Sequence, residues 1–247
     1  MYRRSISTLA VTALLVLSLG GAPTAGAVPA DSPEKERREA IEEVEQSIEV
    51  INEMMGIAEQ TIPEELLKDA ECIAIFPNVF KGAFIFGGSG GDGLAVCRDP
   101  RTGRWGQPLF LEIGGGSWGA QIGASWTDFV LVGVNRDAQK ALAKGRWTVG
   151  ADASVAAGPV GRSAKAGTDW KLGSQFVSYS RSKGLFAGVA LDGAKIMLDD
   201  DANPAVYGPS ATPEQILMGQ AKANADVLRE MKMVADTLAK YTRPMPD

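Results

Sequence analysis

Histidine is missing from all 247 residues. Its absence removes the side chain that most often serves as acid–base catalyst or metal ligand, and with it the Ser-His-Asp and Cys-His nucleophile arrangements. Cysteine is scarce: Cys72 and Cys97 are the only two. Without histidine, two thiols would need carboxylate partners that structural zinc sites seldom use, so no metal site is expected. In an exported chain an even pair favours a disulfide, the alternative being two small buried hydrophobes. An excess of positive charge is also lacking, with 25 Lys and Arg against 30 Asp and Glu. Proteins that hold nucleic acid by charge carry a basic patch or stripe, so no nucleic-acid partner is expected. Asp199, Asp200 and Asp201 would suit glycosidic chemistry, but a solvated acidic turn explains them more simply. The chain is expected not to be an enzyme, with no catalytic residue and no cofactor.

Long apolar runs are absent except at the start. Met1-Tyr2-Arg3-Arg4 leads into an apolar stretch from Leu9 to Leu19 and then to Ala25-Gly26-Ala27. The stretch is broken by Thr12 and Ser18 and is shorter than the ~20 residues that cross a bilayer as a helix. A basic start, an apolar middle and small residues before a cut form a secretory signal. Residues 1–27 are therefore expected to be removed ahead of Val28. No cysteine stands near the cut to take a lipid, so the mature chain is expected to be released into the periplasm, the envelope or the medium. Losing Arg3 and Arg4, and no acid, moves the formal charge from −5 to −7.

The rest divides into a helical segment over 28–62, a Gly-rich domain over 63–208 and a C-terminal helix over 209–247. Ser32-Pro33-Glu34 has the form of an N-cap followed by proline at the first helical position. Ile41, Val44, Ile48, Ile51, Met55 and Ala58 then draw one narrow apolar stripe down a charged helix. That stripe can pack on the domain or the C-terminal helix, or self-associate; a membrane-surface helix would want Lys and Arg where this one carries mostly Glu. Ile62-Pro63 breaks the helix, and Glu64 to Ala70 offers a short second one. From Cys72 to Leu198 short alternating segments are expected as strands: 72–76, 83–86, 94–98, 109–113, 118–125, 129–134, 148–156, 175–180, 185–190 and 194–198. One helix, Asn135 to Lys144, interrupts them, with Gly145 at its C-terminal end. Asp199 to Pro209 is expected as an acidic loop. Thr212-Pro213-Glu214-Gln215 is a capping box, opening a long closing helix whose apolar face is Leu217, Ala221, Ala225, Leu228, Met231, Ala235 and Leu238. The fold class is thus α+β: a Gly-rich, mainly antiparallel sheet, barrel- or sandwich-like, flanked by N- and C-terminal helices.

Two glycine runs invite functional readings. Gly87 to Gly93 tempts a phosphate-loop reading, but such a loop opens a helix, and Leu94-Ala95-Val96-Cys97-Arg98 alternates like a strand. These glycines read as a hairpin turn or a close backbone approach. In Gly114 to Gly123, glycine recurs within a strand, which destabilises unless the close approach is used. Trp118, Gln121 and Trp126 stand among or just after them. Either the sheet packs tightly on a helix here, or the run floors a groove for an acyl chain or headgroup.

Four blocks in order carry a resemblance: Phe76-Pro77-Asn78-Val79-Phe80-Lys81-Gly82-Ala83-Phe84; Gly115-Gly116-Ser117-Trp118-Gly119-Ala120-Gln121-Ile122-Gly123; Gly150-Ala151-Asp152-Ala153-Ser154; and Ser180 to Val189 with Leu191 to Ile196. They resemble the SYLF lipid-binding domain family, and the chain is identified as an exported bacterial member. In eukaryotic relatives this domain accompanies Src-homology-3 or FYVE modules, binds phosphoinositides and, in yeast, actin. The resemblance implies lipid binding and a non-enzymatic role. The acidic first helix departs from the basic one tied to phosphoinositide contact, which points instead to phosphatidylglycerol, cardiolipin or another envelope lipid. The expected partner is an anionic lipid or membrane surface; an exported protein argues against actin. Candidate lipid-binding residues are Lys81, Arg98, Arg104, Trp118, Gln121, Arg181 and Lys183. The alternative is an envelope structural protein that self-associates through its helices without a dedicated lipid site.

Overall fold

The Ser32 hydroxyl accepts the Lys35 N–H at 3.3 Å and Pro33 takes the first helical position, which starts α1 (Pro33–Gly56) where the sequence places it. The computed structural model describes residues 32–56, 62–84, 86–118, 123–159, 173–182, 185–188, 191 and 193–242. The expected signal over 1–27 lies outside these. Helix α1 buries Ala40, Val44, Ser47, Val50, Ile51 and Met54, a wider face than the expected stripe. Ile41, Ile48 and Met55 flank it, half-buried. A short α2 (Glu64–Lys68) leads into the sheet.

Nine strands form one sheet: β1 (Cys72–Phe84), β2 (Phe86–Cys97), β3 (Leu109–Trp118), β4 (Gly123–Gly133), β5 (Arg146–Thr148), β6 (Val155–Ala157), β7 (Phe176–Ser182), β8 (Leu185–Gly188) and β9 (Lys195–Leu198). Their order is β5-β9-β3-β2-β1-β4-β7-β6, with β8 also on the outer edge of β7. Every pairing is antiparallel except β6 on β7. Trp147 on the edge strand β5 nevertheless stacks on Phe176 of β7, ring centroids 5.0 Å apart. Strands so distant in the order can meet only if the sheet curls, and the result is a half-barrel with Trp147, Ile113 and Ile196 among its buried lining. The α+β class and the mainly antiparallel, flanked sheet are as expected.

Several local expectations are corrected. Gly87 to Gly93 is not a hairpin turn but strand, paired residue for residue with β3; β1 ends at Phe84 and β2 begins at Phe86. The expected strand 148–156 is two strands, β5 and β6, because Gly150 at φ +85° and the Asp152 carboxylate, which accepts the Thr148 N–H at 2.8 Å, turn the chain between them. Helix α3 (Arg136–Ala143) stands where expected, with the Asn135 side chain accepting the N–H groups of Asp137 and Ala138. The acidic loop contains a helix, α4 (Ala202–Tyr207), whose entry is fixed by the Asp199 carboxylate accepting the Asp201 and Ala202 N–H groups. The closing helix is two: α5 (Pro213–Leu217), which has the expected capping box, and α6 (Leu228–Thr242). Gly219, at φ +66°, ends the first. The Asn224 side chain then donates to the Ala205 carbonyl at 2.7 Å, tying the intervening segment to α4. Helix α1 packs on α4, α6, β1 and β2, so its apolar face is used inside the molecule.

Cys72 and Cys97 are directly opposed on β1 and β2 and joined by a disulfide, their Cα atoms 4.0 Å apart. Closing a 25-residue separation removes unfolded-state entropy worth about 3 kcal/mol. Reduction should lower the free energy of unfolding by about that amount in denaturant titrations. An unchanged midpoint, or two free thiols in the unreduced mass, would contradict the bond.

Candidate functional site

Strand β1 runs the length of the sheet and is paired on both sides, so its Phe84 end carries an array of registered positions. Trp126 on β4, Phe80 on β1, Gly90 on β2, Gly114 on β3 and Lys195 on β9 stand directly opposite one another in one row. Directly opposed residues share a face. The next row on that face is Ala124, Gly82, Gly88 and Gly116. The result is a floor almost without side chains, bounded by an aromatic pair on one side and Lys195 on the other. A Cβ added at Gly88 would meet nothing within 4 Å, and at Gly90 or Gly114 only a carbonyl oxygen at 3.9 or 3.8 Å. At Gly93 and Gly133, by contrast, it would run into the Phe76 ring and the Ala138 methyl. The chain's own packing therefore requires glycine at the Cys72 end but leaves the floor at the far end open.

Among the residues whose side-chain exposure is described, Phe80 and Trp126 are the large hydrophobic side chains that are exposed, at 39% and 62%, with ring centroids 5.0 Å apart. Phe80 is absent from the sequence candidates; Trp126, three positions past Gly123, stands with the possible groove in the sequence but not among the candidate lipid-binding residues.

The basic candidates are scattered. Lys81 alternates to the opposite face from Phe80 and lies over the Phe129 ring, its ammonium 4.6 Å from the centroid. Partial burial lowers its pKa. Arg98 follows Cys97 at the other end of the sheet, and Cys97 faces Cys72, nine β1 positions from Lys81, or about 30 Å of strand. Its guanidinium donates to the Ala70 and Gly103 carbonyls and lies 4.3 Å from the Trp105 ring centroid. Arg104 lines the same cavity of about 480 Å³ as Arg98, beside α6. Arg181 is in ion pairs with Asp128, at 2.9 Å, and Glu53. Trp118 ends β3 opposite Phe86; its side chain, together with Gln121 and Lys183, lies outside the described residues. The structure thus brings Arg98 and Arg104 together, places Lys81 at the opposite end, and commits Arg181 to holding α1.

Beneath α1, Glu43 faces Asp92, Glu112 and Asp199 across a cavity of about 420 Å³. Burial, then the charges of Asp92 and Asp199, push the Glu43 carboxyl up to about 8. Asp92 and Glu112 are raised for the same two reasons, burial first and then neighbouring carboxylates. Asp199 is therefore part of this acidic interface and not a solvated turn. Among the described residues no group of three acidic or cysteine side chains has metal-binding geometry.

The fold that carries these features is a curled, Gly-rich half-barrel bracketed by helices. Residues 114–241 match the Ysc84 family, described as Las17-binding protein actin regulator, and the chain belongs to this family, the one its sequence blocks resemble. It is 38% identical over 174 residues to LAS seventeen-binding protein 3 of Saccharomyces cerevisiae, covering 69% of this chain and 37% of the relative. Protein YSC84 of the same yeast is 37% identical over 195 residues, 78% of this chain and 41% of the relative. Human SH3 domain-containing YSC84-like protein 1 is 33% identical over 177 residues, 70% and 51%. The chain thus spans roughly two fifths to half of these relatives' length. Their names suggest regulators and not enzymes.

The sign of the Glu43 shift fixes a pH dependence. A carboxyl raised from 4.5 to about 8 on folding binds its proton more tightly in the native state, so stability falls as pH rises through that interval. The melting temperature should drop by about 5 °C or more between pH 5 and pH 8.5, and Glu43→Gln should flatten the curve. A melting temperature that rises over this range would contradict the acidic interface.

Proposed function

We propose that this chain is a non-enzymatic lipid-binding protein that meets a membrane surface with the Gly-rich end of its sheet. The supporting observation is the exposed Phe80–Trp126 pair beside an open glycine floor. Aromatic rings with a polar edge favour the membrane–water boundary, and a floor without side chains lets an acyl chain or headgroup approach the backbone. Lys81 and Lys195 stand at this end on opposite faces, each worth about 1 kcal/mol near an anionic leaflet. Because Arg98 and Arg104 lie at the other end of the sheet and Arg181 is in ion pairs, charge supplies the smaller share, and binding is expected to survive salt. Residues 1–27 act as an export signal in this reading, which places the protein in the bacterial envelope or outside the cell.

A second reading is carried by the relatives. The names Las17-binding and actin regulator describe protein partners, so the argument against actin finds no support there. In this reading the same exposed aromatic pair docks on a protein such as actin. Self-association through α1 is disfavoured by the burial of its apolar face.

Flotation with neutral and anionic vesicles at low and high salt separates these readings. Wild-type protein should float with both and prefer the anionic vesicles, keeping most of its binding at high salt. Trp126→Ala should weaken binding about tenfold, the loss of roughly 1.4 kcal/mol of apolar contact. Lys81→Ala and Lys195→Ala should each lower the anionic preference about fivefold, the loss of roughly 1 kcal/mol, with little change in melting temperature. No flotation, together with co-sedimentation on actin filaments, would favour the protein-partner reading. Binding abolished by salt would place the contact on charges and not on the aromatic pair.

A further inference from the structure

Strand β1 carries one residue more than either neighbour needs. Phe76 faces Phe129 and Val79 faces Thr127, so Pro77 and Asn78 together oppose the single residue Asp128. On the other side Ile75 faces Leu94 and Phe80 faces Gly90, again with one extra position on β1. A bulge of this kind re-aims everything beyond it, because a one-residue shift sends each side chain to the opposite face. It is this extra residue that puts Phe80 on the open face beside Trp126 and Lys81 on the other.

The bulge is held from three sides. Asn78 takes a left-handed backbone at φ +48°, which asparagine tolerates better than most residues. Its N–H donates to Asp128 Oδ1 at 2.9 Å, while Asp128 Oδ2 accepts from Arg181 Nε at 3.0 Å and Nη2 at 2.9 Å. Arg181 also pairs with Glu53 of α1, and the Asn78 side-chain amide donates to Gln46 of α1 at 3.5 Å. The Asp128 side chain is mostly buried, so its oxygens need these partners in place of water. Next to Arg181, the Ser182 hydroxyl donates to the Trp126 carbonyl at 3.2 Å. Asn78 and Asp128 each stand two residues from a ring of the aromatic pair.

We propose that Asn78, Asp128, Arg181 and Glu53 form a register lock through which the docking of α1 holds Phe80 beside Trp126, making them positioning residues for membrane contact. The role assigned to the contact rests on the membrane reading above; the lock itself does not. When α1 is docked, the bulge is held and the aromatic pair is presented. Loss of the Glu53 or Asp128 contacts frees the bulge, and Phe80 leaves Trp126.

The test compares Glu53→Gln and Asp128→Asn with wild type at a temperature where circular dichroism shows all of them folded. Glu49→Gln serves as control, since it removes an exposed charge from the same helix outside the lock. One readout is partition onto phosphatidylglycerol vesicles. The other is acrylamide quenching of Trp126, isolated by subtracting the matching Trp126→Phe protein. Asp128→Asn should reduce partition about tenfold and at least double the Trp126 quenching constant. Glu53→Gln should do both to a lesser degree, and Glu49→Gln should match wild type. Folded Asp128→Asn and Glu53→Gln proteins with wild-type quenching would overturn the lock. If wild type itself fails to bind vesicles, the membrane reading falls and the quenching comparison alone decides.

Discussion

Strand β1 has to satisfy two neighbours at once, and the rest of the structure follows from how it does so. At the Cys72 end its residues are buried on both faces, under α1 on one side and inside the half-barrel on the other. Past the bulge at Pro77 and Asn78 the same strand runs on between β2 and β4, where Lys81, Gly82 and Ala83 face only glycine, alanine and serine. The first half is therefore core and the second half surface, within one continuous ladder. Backbone pairing carries the ladder out to Phe84 and Phe86.

Helix α1 marks the border between these halves. Arg37 pairs with Asp226 at 2.8 Å, Asn52 accepts from the Tyr241 hydroxyl at 2.8 Å, and Glu53 pairs with Arg181. These contacts hold the helix against α6 and the sheet, while between them Glu43 meets the carboxylates of Asp92 and Asp199. Attraction near its ends and repulsion beneath its middle leave α1 attached by a few polar contacts and its apolar face.

Much of the architecture is legible in the sequence because local chemistry and tertiary packing agree there. Ser32-Pro33, Asn135 and Thr212 to Gln215 start helices with the capping geometry their residue types imply. The paired cysteines and the four sequence blocks lead to the disulfide and the family. Legibility ends where long-range pairing overrides local preference. Glycine in Gly87 to Gly91 signals a turn locally, yet pairing with Gly114 to Ser117 makes it strand. Asp199 looks solvated in sequence because nothing local reveals that α1 folds over it. The candidate site shows the same divide. Basic residue types could be nominated, but their distribution over two ends and two faces depends on register, and on a bulge whose partner, Asp128, is 50 residues away.

The central claim is that the glycine-floored, aromatic-edged end of the sheet is the surface that meets lipid. Vesicles of phosphatidylglycerol with acyl chains brominated near the headgroup test it most directly, since bromine quenches only a tryptophan that reaches the top of the acyl region. The account predicts strong quenching of the wild-type emission, and its loss in Trp126→Phe although four other tryptophans remain. Equal quenching in the two proteins, or none in either, would contradict it.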